Sequence, residues 1–420
     1  MARRARSRAA SVRRFRAGAR DRRLTIPVLS LRSEIRALPR GVWILYAETL
    51  VNRLGTFVLV FLVLWLTRVG WSPGMAGLAV SVYGLGGLFA SLVGGWLADR
   101  FGRRRTIALS MFSSAGVLLT LPHMRGTGAV LGLAALAGLT SELYRPAANG
   151  LLTDLIPAGR RVPGFAIYRL AVNLGHAVGP AIGGFVAERS FVWVFTADAA
   201  TSIVAGIVAL TLLPEGRRSR REEDPVGGFR GALVADRQFL LFLAASTLVT
   251  LIAFQSTASF PLQMRAGGLT SAHYGLLMSL NGLLVVLFEL PLVGVTRRLR
   301  PRPVMAVGIA LTGLGFGLVA WADTFAFFAL TVFVWTAGEI VFTPVASAYV
   351  GDVAPDALRG RYYGASMLTH SLGIVLGPGL GTAIYAVSPA GLWAACAALG
   401  VVGALLVLAS PPAGRAAAVP

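Results

Sequence analysis

The residues of this chain that could do chemistry are ionisable side chains set within long apolar stretches. A charge inside a bilayer costs about 3 kcal/mol or more, so each such residue is a functional candidate that needs a partner. The acids are Glu48, Glu142, Glu289 and Glu339, and the cations and histidines are Arg53, Arg145, Arg169, His176 and His370.

The four acids differ in what the sequence places beside them. Coupling a proton to movement requires a carboxyl group that changes its protonation, and burial disfavours the anion. Glu339 has no cation near it in the sequence and fits this role best, with Glu142 and Glu48 next. Glu289, in Leu-Phe-Glu-Leu-Pro, lies nearer the end of its stretch, where helix packing is an alternative role.

Other polar side chains share these stretches. Glu142 and Arg145 are three residues apart and share a helix face, so they can pair for structure or for function. His176 and His370 suit polar packing as well as proton transfer, and Asp198 is expected to be peripheral. The predicted polar lining of a cavity is Asn52, Arg53, Arg145, Asn149, Arg169, Asn173, His176, Asn281 and His370.

Several kinds of catalytic or cofactor chemistry lack their usual residues. All 39 residues counted as Lys or Arg are Arg, so a GxxxxGK[ST] phosphate loop is excluded. The histidines stand singly, with neither an HExxH pair nor a GxSxG elbow, and the one cysteine, Cys396, can form no disulfide within the chain. The sequence therefore predicts no enzyme, no cofactor and no metal site.

The elements that must position these residues are long apolar segments. The chain has 420 residues, 55% of them hydrophobic and 14% charged, with a mean hydropathy of +0.71. A helix needs roughly 20 apolar residues to cross a hydrocarbon core, so the chain is predicted to be an all-α integral membrane protein. Its twelve predicted spans are 41–66, 74–98, 106–122, 128–155, 163–187, 191–213, 238–264, 273–296, 303–322, 325–351, 360–386 and 389–410.

The arginines outside the spans indicate the orientation. The basic tail 1–40 and alternate connecting segments carry 32 Arg, whereas the opposite set of loops carries 4. Because Arg-rich loops stay in the cytoplasm, both termini are predicted there, in a bacterial-type cell membrane. The net charge of +21 is then an orientation signal, so no nucleic-acid partner is expected, although the tail could contact anionic lipid.

The second half of the chain repeats the first at an offset of 198 residues. Pro146 falls on Pro344 and Pro180 on Pro378, so spans four and five recur as spans ten and eleven. An offset of six spans keeps the orientation, which predicts parallel halves with a cleft between them. The expected organisation is two six-helix bundles at 41–213 and 238–410, a cytoplasmic linker at 214–237 and a tail at 411–420.

A charged loop between spans two and three carries the motif Gly95-Trp-Leu-Ala-Asp99-Arg100-Phe-Gly102-Arg103-Arg104-Arg105. It resembles the GxLaDrxGrr signature of the major facilitator superfamily at every defining position. The resemblance implies that the loop contacts span eleven and that a cytoplasmic charge latch stabilises the outward-facing state. The latch residues it implies are Gly95, Asp99, Arg100, Gly102, Arg103, Arg104 and Asp154. The corresponding loop of the second half, at 293–302, lacks the acid, so the latch is expected on one side only.

A second motif lies in span five and reads Gly175-His176-Ala-Val-Gly179-Pro180-Ala-Ile-Gly183-Gly184. It is similar to the GxxxGPxxGG signature of the drug:proton antiporter branch of that superfamily. Small residues at this spacing allow close helix contact, and a mid-span proline bends a helix. The resemblance implies a hinge or seal against span eight that favours exchange over co-transport. A third signature of the family, an intramembrane Arg followed by Gln-Gly, is matched only at Arg145.

The resemblance covers about residues 41–410 and implies two parallel six-helix bundles that work by alternating access. The expected function is proton-coupled export of amphiphilic small molecules by a monomer, with a small-molecule substrate, protons and membrane lipids as partners. Two alternatives stay open. One is import or facilitated diffusion of a metabolite, and the other is a membrane receptor or scaffold that transports nothing.

Overall fold

The computed structural model describes residues 38–157, 160–216, 236–296, 298–355 and 358–409. Twelve helices in this part are long and apolar enough to cross a membrane, which confirms the predicted all-α integral membrane fold. The predicted tails and most of the predicted linker lie outside the described residues.

The helices, numbered by span, are α1a (Arg40–Leu54), α1b (Val58–Arg68), α2 (Pro73–Phe101), α3 (Arg103–Thr120), α4a (Thr127–Glu142), α4b (Tyr144–Leu155), α5 (Arg161–Arg189), α6 (Phe191–Leu212), α7a (Arg237–Ala253), α7b (Ser259–Ala266), α8 (Ser271–Thr296), α9 (Pro301–Gly317), α10 (Phe325–Val353), α11 (Arg359–Val387) and α12 (Pro389–Ala409).

Spans one to six and seven to twelve form two halves with matching layouts. The helix starts Pro73 and Ser271, and likewise Phe191 and Pro389, lie 198 residues apart, which is the offset found in the sequence. The repeat therefore extends beyond spans four and five to the rest of the half. Two residues separated by this offset are called equivalent below.

The first and seventh spans are interrupted at equivalent places. Helix α1a ends at Leu54 and α1b begins at Val58, whereas α7a ends at Ala253 and a 3-10 turn, Phe254–Ser256, precedes α7b. An interruption inside a membrane leaves backbone N–H and C=O groups without helical partners, and other atoms must satisfy them. The two halves do so with different side chains.

The halves meet along two helix pairs, α2 with α11 and α5 with α8, which are called seams here. Small residues let the backbones approach closely at both. A Cβ added at Gly84 would lie 2.8 Å from the Ile374 side chain, and one added at Gly282 would lie 2.6 Å from the backbone of Ala177. Because Gly84 and Gly282 are equivalent, both seams are built on the same close contact.

The cleft between the halves is closed at one end of the bundle. Near that end, Phe61 packs edge-on against Tyr274 of the other half, with ring centroids 5.5 Å apart. The other end, called the basic end, carries the loop 99–105. There, a Cβ added at Gly95 on α2 or at Gly360 on α11 would meet no heavy atom of the described residues within 4 Å outside its own stretch of helix. The halves are thus packed together at the closed end, and α2 and α11 are not in contact at these two glycines of the basic end.

Candidate functional site

The first half contains a cluster of charged side chains, in which the Arg53 Nε atom has no hydrogen-bond partner among the described residues. Arg53 is buried, and its guanidinium group donates a hydrogen bond to the Tyr144 hydroxyl. Glu142 forms an ion pair with Arg145, as their spacing allowed. The Arg145 side chain is 50% exposed and that of Glu142 is 20% exposed, so the cation of this pair is the more open partner.

Glu48 lies deeper in the same half and is almost fully buried. The Thr49 hydroxyl donates to one of its carboxyl oxygens at 3.3 Å, and the other oxygen has no hydrogen-bond partner in the described part of the chain. Asn52, one turn further on, donates its amide to the Met111 sulfur at 3.1 Å. These two predicted site residues thus face the interior of the half and not the cleft.

An acid that was expected to be peripheral, Asp198, holds the interruption of span one, so that expectation was wrong. Asp198, on α6, is 7% exposed. Its Oδ2 atom accepts hydrogen bonds from the backbone N–H groups of Phe57 and Val58, both at 3.1 Å. These groups lie at the N-terminus of α1b, where the helix dipole favours an anion. The sequence Asn52-Arg53-Leu54-Gly55-Thr56 breaks the apolar pattern at this place, but it was assigned to one continuous span.

The second half contains a cavity of about 360 Å³ beside the cleft. Glu339 lies in its wall, and the Asn281 amide donates to the Glu339 carboxylate at 3.1 Å and to the Thr336 hydroxyl at 2.9 Å. Among the described residues, no cation lies within ion-pair distance of Glu339. Aromatic side chains make up much of the remaining wall, namely Phe254, Phe316, Trp335 and Phe342.

Neutral side chains occupy the equivalent positions of the first half. Tyr83 stands where the second half has Asn281, and Ser141 stands where it has Glu339. Their hydroxyl groups lie 2.7 Å apart and form a hydrogen bond. The space beside them is only about 20 Å³, enough for about one water molecule. The acid at this position, Glu339, and the large cavity beside it are therefore found in the second half and not at the equivalent place of the first.

The two intramembrane histidines lie on the seam helices α5 and α11, and both are exposed and not packed inside a half. The His370 ring lies 5.2 Å from that of Phe254, in the wall of the cavity. Both histidines thus lie on helices along which the two halves meet.

Arg169 and Glu289 form an ion pair between α5 and α8, so this pair joins the two halves. Sequence reasoning offered Glu289 a coupling role or a packing role, and did not foresee this partner 120 residues away. Of the remaining predicted residues, Asn149 is exposed and Asn173 is partly buried. Neither of these amides forms a side-chain hydrogen bond within the described part.

The predicted latch at the basic end is only partly assembled. Arg103 forms an ion pair with Asp154 and donates a hydrogen bond to the Gly150 carbonyl, all within the first half. Asp99 is exposed and forms no hydrogen bond or ion pair in the described part of the chain, so the implied contact with span eleven is absent. The reason is geometric, because the basic ends of α2 and α11 stand apart in this open cleft.

The other residues of this motif shape the loop. Gly102 has φ +90°, a conformation that glycine adopts readily, and it ends α2. Arg104 pairs with Glu215 at 2.6 Å. The Arg100 guanidinium lies over the Trp96 ring, 5.2 Å from its centroid.

The glycine motif of span five divides between two neighbours. Cβ atoms added at Gly175, Gly179 and Gly183 would all crowd span one, at Arg53, Leu54 and Phe57 respectively. Four-residue spacing places these three glycines on one helix face. Gly184 and the Pro180 carbonyl lie on the next face and contact span eight. The resemblance implied a seal against span eight, but most of the motif packs against the interrupted span one.

Two parallel six-helix halves around a membrane cleft define a transporter-like membrane protein by architecture. The family model described as Major Facilitator Superfamily matches residues 46–272 and 255–419. The chain belongs to this superfamily, which confirms the resemblance seen in its motifs.

Relatives and solved structures agree with this assignment, and they are transporters, not enzymes. The chain is 25% identical over 379 residues to the multidrug resistance protein MdtH of Aeromonas hydrophila, covering 89% of this chain and 95% of that protein. It is 25% identical over 373 residues to a Na⁺, Li⁺, K⁺/H⁺ antiporter of Planococcus maritimus, covering 80% and 87%. The crystal structure of the nucleoside transporter NupG has the same fold, with a TM-score of 0.76 at 18% identity over 89% of this chain and 99% of that one.

Proposed function

We propose that this protein exports amphiphilic small molecules across the cell membrane in exchange for protons. The observation that carries the proposal is Glu339, a carboxyl group in a cavity wall that includes four Phe or Trp side chains, with an amide donor but no ion-pair partner among the described residues. Such a group can hold a proton or a polar group of the cargo, but not both at once. Competition between the proton and the cargo for this one carboxylate couples proton entry to cargo export.

The arginine distribution assigns a direction. If the Arg-rich end faces the cytoplasm, the cleft is open inward and closed outward. Cargo then binds as Glu339 releases its proton on the cytoplasmic side, and reprotonation from outside releases the cargo. Each proton that moves inward gains about 2.3 kcal/mol per 100 mV of membrane potential. An exported monovalent cation costs the same amount, so a one-for-one exchange of that kind is driven by the pH gradient.

The first half serves as the charged wall opposite this cavity. The Glu142–Arg145 pair makes Glu142 a secondary candidate for coupling. Glu48 is another, although it lies inside the half, because one of its carboxyl oxygens has no partner among the described residues. At the basic end, the Arg103–Asp154 pair is one half of a latch that Asp99 completes when the cleft closes there. The two six-helix halves then act as the rocking units.

The cavity favours organic cargo over alkali cations. The relatives' names include both a multidrug resistance protein and a cation antiporter. A volume of about 360 Å³ is within the range of drug-sized sites and far exceeds the needs of one alkali ion. Its aromatic rings can contact the apolar body and any positive charge of an amphiphile.

Transport into everted membrane vesicles tests the proposal, with ethidium as a fluorescent cationic cargo. A pH gradient, acidic inside, should drive ethidium uptake, and Glu339→Gln should abolish that uptake while cargo-for-cargo exchange continues. Ser141→Ala, at the equivalent position of the first half, is the matched control and should keep the coupling. Unchanged coupling in Glu339→Gln would remove this residue from the mechanism.

The same vesicles separate the alternatives. Uptake that a protonophore leaves unaffected would favour facilitated diffusion. Binding of ethidium without any flux in liposomes would favour a receptor or scaffold. A panel of cationic and neutral amphiphiles extends the assay to cargo that ethidium does not represent.

A further inference from the structure

The two seams share a hydrogen bond that crosses between the halves. The Ser279 hydroxyl on α8 accepts from the backbone N–H of Ala181 on α5 at 2.8 Å. The Ser81 hydroxyl on α2 accepts from the backbone N–H of Gly379 on α11 at 2.9 Å. These two contacts are equivalent, and each N–H directly follows a mid-helix proline, where helical hydrogen bonding is interrupted. Near the membrane centre, therefore, the seams match.

Toward the basic end the seams differ. The α5–α8 seam carries the ion pair between Arg169 and Glu289, two turns beyond the contact of Gly282. The equivalent residues of the α2–α11 seam are Met367 and Ser91, which cannot form an ion pair. The Arg169 side chain is 62% exposed and that of Glu289 is 14% exposed. The pair ties α5 to α8 at a level where the equivalent residues of α2 and α11 can form no such tie.

A second difference lies at the closed end. Glu188, near the end of α5, accepts a hydrogen bond at 2.9 Å from the backbone N–H of Ala272, at the start of α8. A carboxylate is favourable at a helix N-terminus. The equivalent residues are Ala386 and Gly74, and a Cβ added at Gly74 would meet no atom within 4 Å. In the described part of the chain, charged groups thus join the α5–α8 seam near both ends and the α2–α11 seam at neither.

We infer that the two halves open about the α5–α8 seam, so that the α2–α11 seam is the one that parts at the basic end. Arg169 and Glu289 act as positioning residues that restrict the opening to one side. The inference rests on the proposed function only in requiring that the halves rock.

Distances between spin labels on equivalent exposed leucines test the inference. With Cys396→Ala removing the one native cysteine, cysteines at Leu170 and Leu290 report on the α5–α8 seam, and cysteines at Leu92 and Leu368 report on the α2–α11 seam. We expect a narrow distance distribution for the first pair and a broad or shifted one for the second. Similar distributions for both pairs would overturn the inference.

Exchanging the side chains between the seams makes the test specific. Arg169→Met with Glu289→Ser gives the α5–α8 seam the residues of the other seam and should broaden its distribution. Ser91→Glu with Met367→Arg moves the ion pair to the α2–α11 seam and should narrow the distribution there. The charge reversal Arg169→Glu with Glu289→Arg should restore the narrow distribution of the first seam if the ion pair is the cause.

An unchanged α5–α8 distribution after Arg169→Met with Glu289→Ser would also contradict the inference. These measurements need neither cargo nor a proton gradient. Their failure would therefore leave the proposed function standing, and failure of the transport assay would leave the distances interpretable.

Discussion

The two halves repeat one backbone plan but use the same layer of the membrane differently. In the first half Glu142 pairs with Arg145 and Asp198 accepts two backbone N–H groups, whereas the buried Glu48 keeps one carboxyl oxygen without a partner among the described residues. In the second half Glu339 faces a large cavity with an amide as its hydrogen-bond donor. One copy of the repeat thus provides a fixed charged wall, and the other provides a carboxyl group free to exchange its partner.

The interruptions of spans one and seven show the same divergence. Asp198 holds the first from a neighbouring helix, and its equivalent in the second half is the buried Cys396. There a side chain of the interruption makes the contacts. Gln255 donates its amide to the carbonyl of Leu251, in the preceding turn, at 3.1 Å and to the carbonyl of Gly377, on α11, at 2.8 Å. A broken helix can therefore be kept by an anion at its N-terminus or by an amide at its carbonyls.

The largest expected difference between the two halves is the effect of replacing their acids, Glu339 and Glu142. Glu339→Gln should remove the pH dependence of ethidium binding to purified protein, because an amide neither gains nor loses a proton. Glu142→Gln should retain that dependence, since its wild-type carboxylate is already engaged by Arg145. Binding titrations at acid and alkaline pH measure both variants. Loss of the pH dependence in Glu142→Gln alone would transfer the coupling role to the first half.

Replacing the residues beside the two interruptions should have a smaller effect, which is a loss of stability. Asp198→Ala leaves the N–H groups of Phe57 and Val58 without their acceptor, at a cost of about 1–3 kcal/mol for each buried unsatisfied group. Cys396→Ala, at the equivalent position, breaks no hydrogen bond of the described residues and should lower the melting temperature much less. Thermal unfolding in detergent compares them, and equal losses would show that Asp198 does not hold the interruption.

The sequence sufficed for the fold because the membrane imposes simple rules. Apolar length marked all twelve spans, and the offset of 198 residues, seen at Pro146 and Pro180, extended to the whole half. The interruptions were missed because the polar stretches that mark them, Gly55-Thr56 and Gln255-Ser256-Thr257, are too short to divide a span when spans are judged by apolar length. Only contacts between distant helices, such as Asp198 with Phe57, make a broken span visible.

The site was predictable in its members but not in their grouping. Glu142 and Arg145 could be paired from their spacing on one helix. Arg169 and Glu289 could not, because their contact depends on how two halves pack across a seam. The neighbours of Gly175 and Gly183 were equally unpredictable. A row of glycines on one helix face predicts that another helix packs closely there, but it does not identify that helix.

The smallest expected effect concerns two equivalent hydrogen bonds, Tyr83–Ser141 in the first half and Asn281–Glu339 in the second. Tyr83→Phe removes the hydroxyl that lies 2.7 Å from Ser141 and should cost about 0.6 kcal/mol, the usual value for a hydrogen bond between membrane helices. Transport should persist, because neither hydroxyl belongs to the proposed coupling group. Asn281→Leu removes the equivalent bond, which is the one that Asn281 donates to Glu339, and should therefore alter the pH at which cargo is released. Parallel melting curves and vesicle assays separate the outcomes. If both variants changed only stability, the Asn281 amide would be structural, and the two halves would be more alike than their acids indicate.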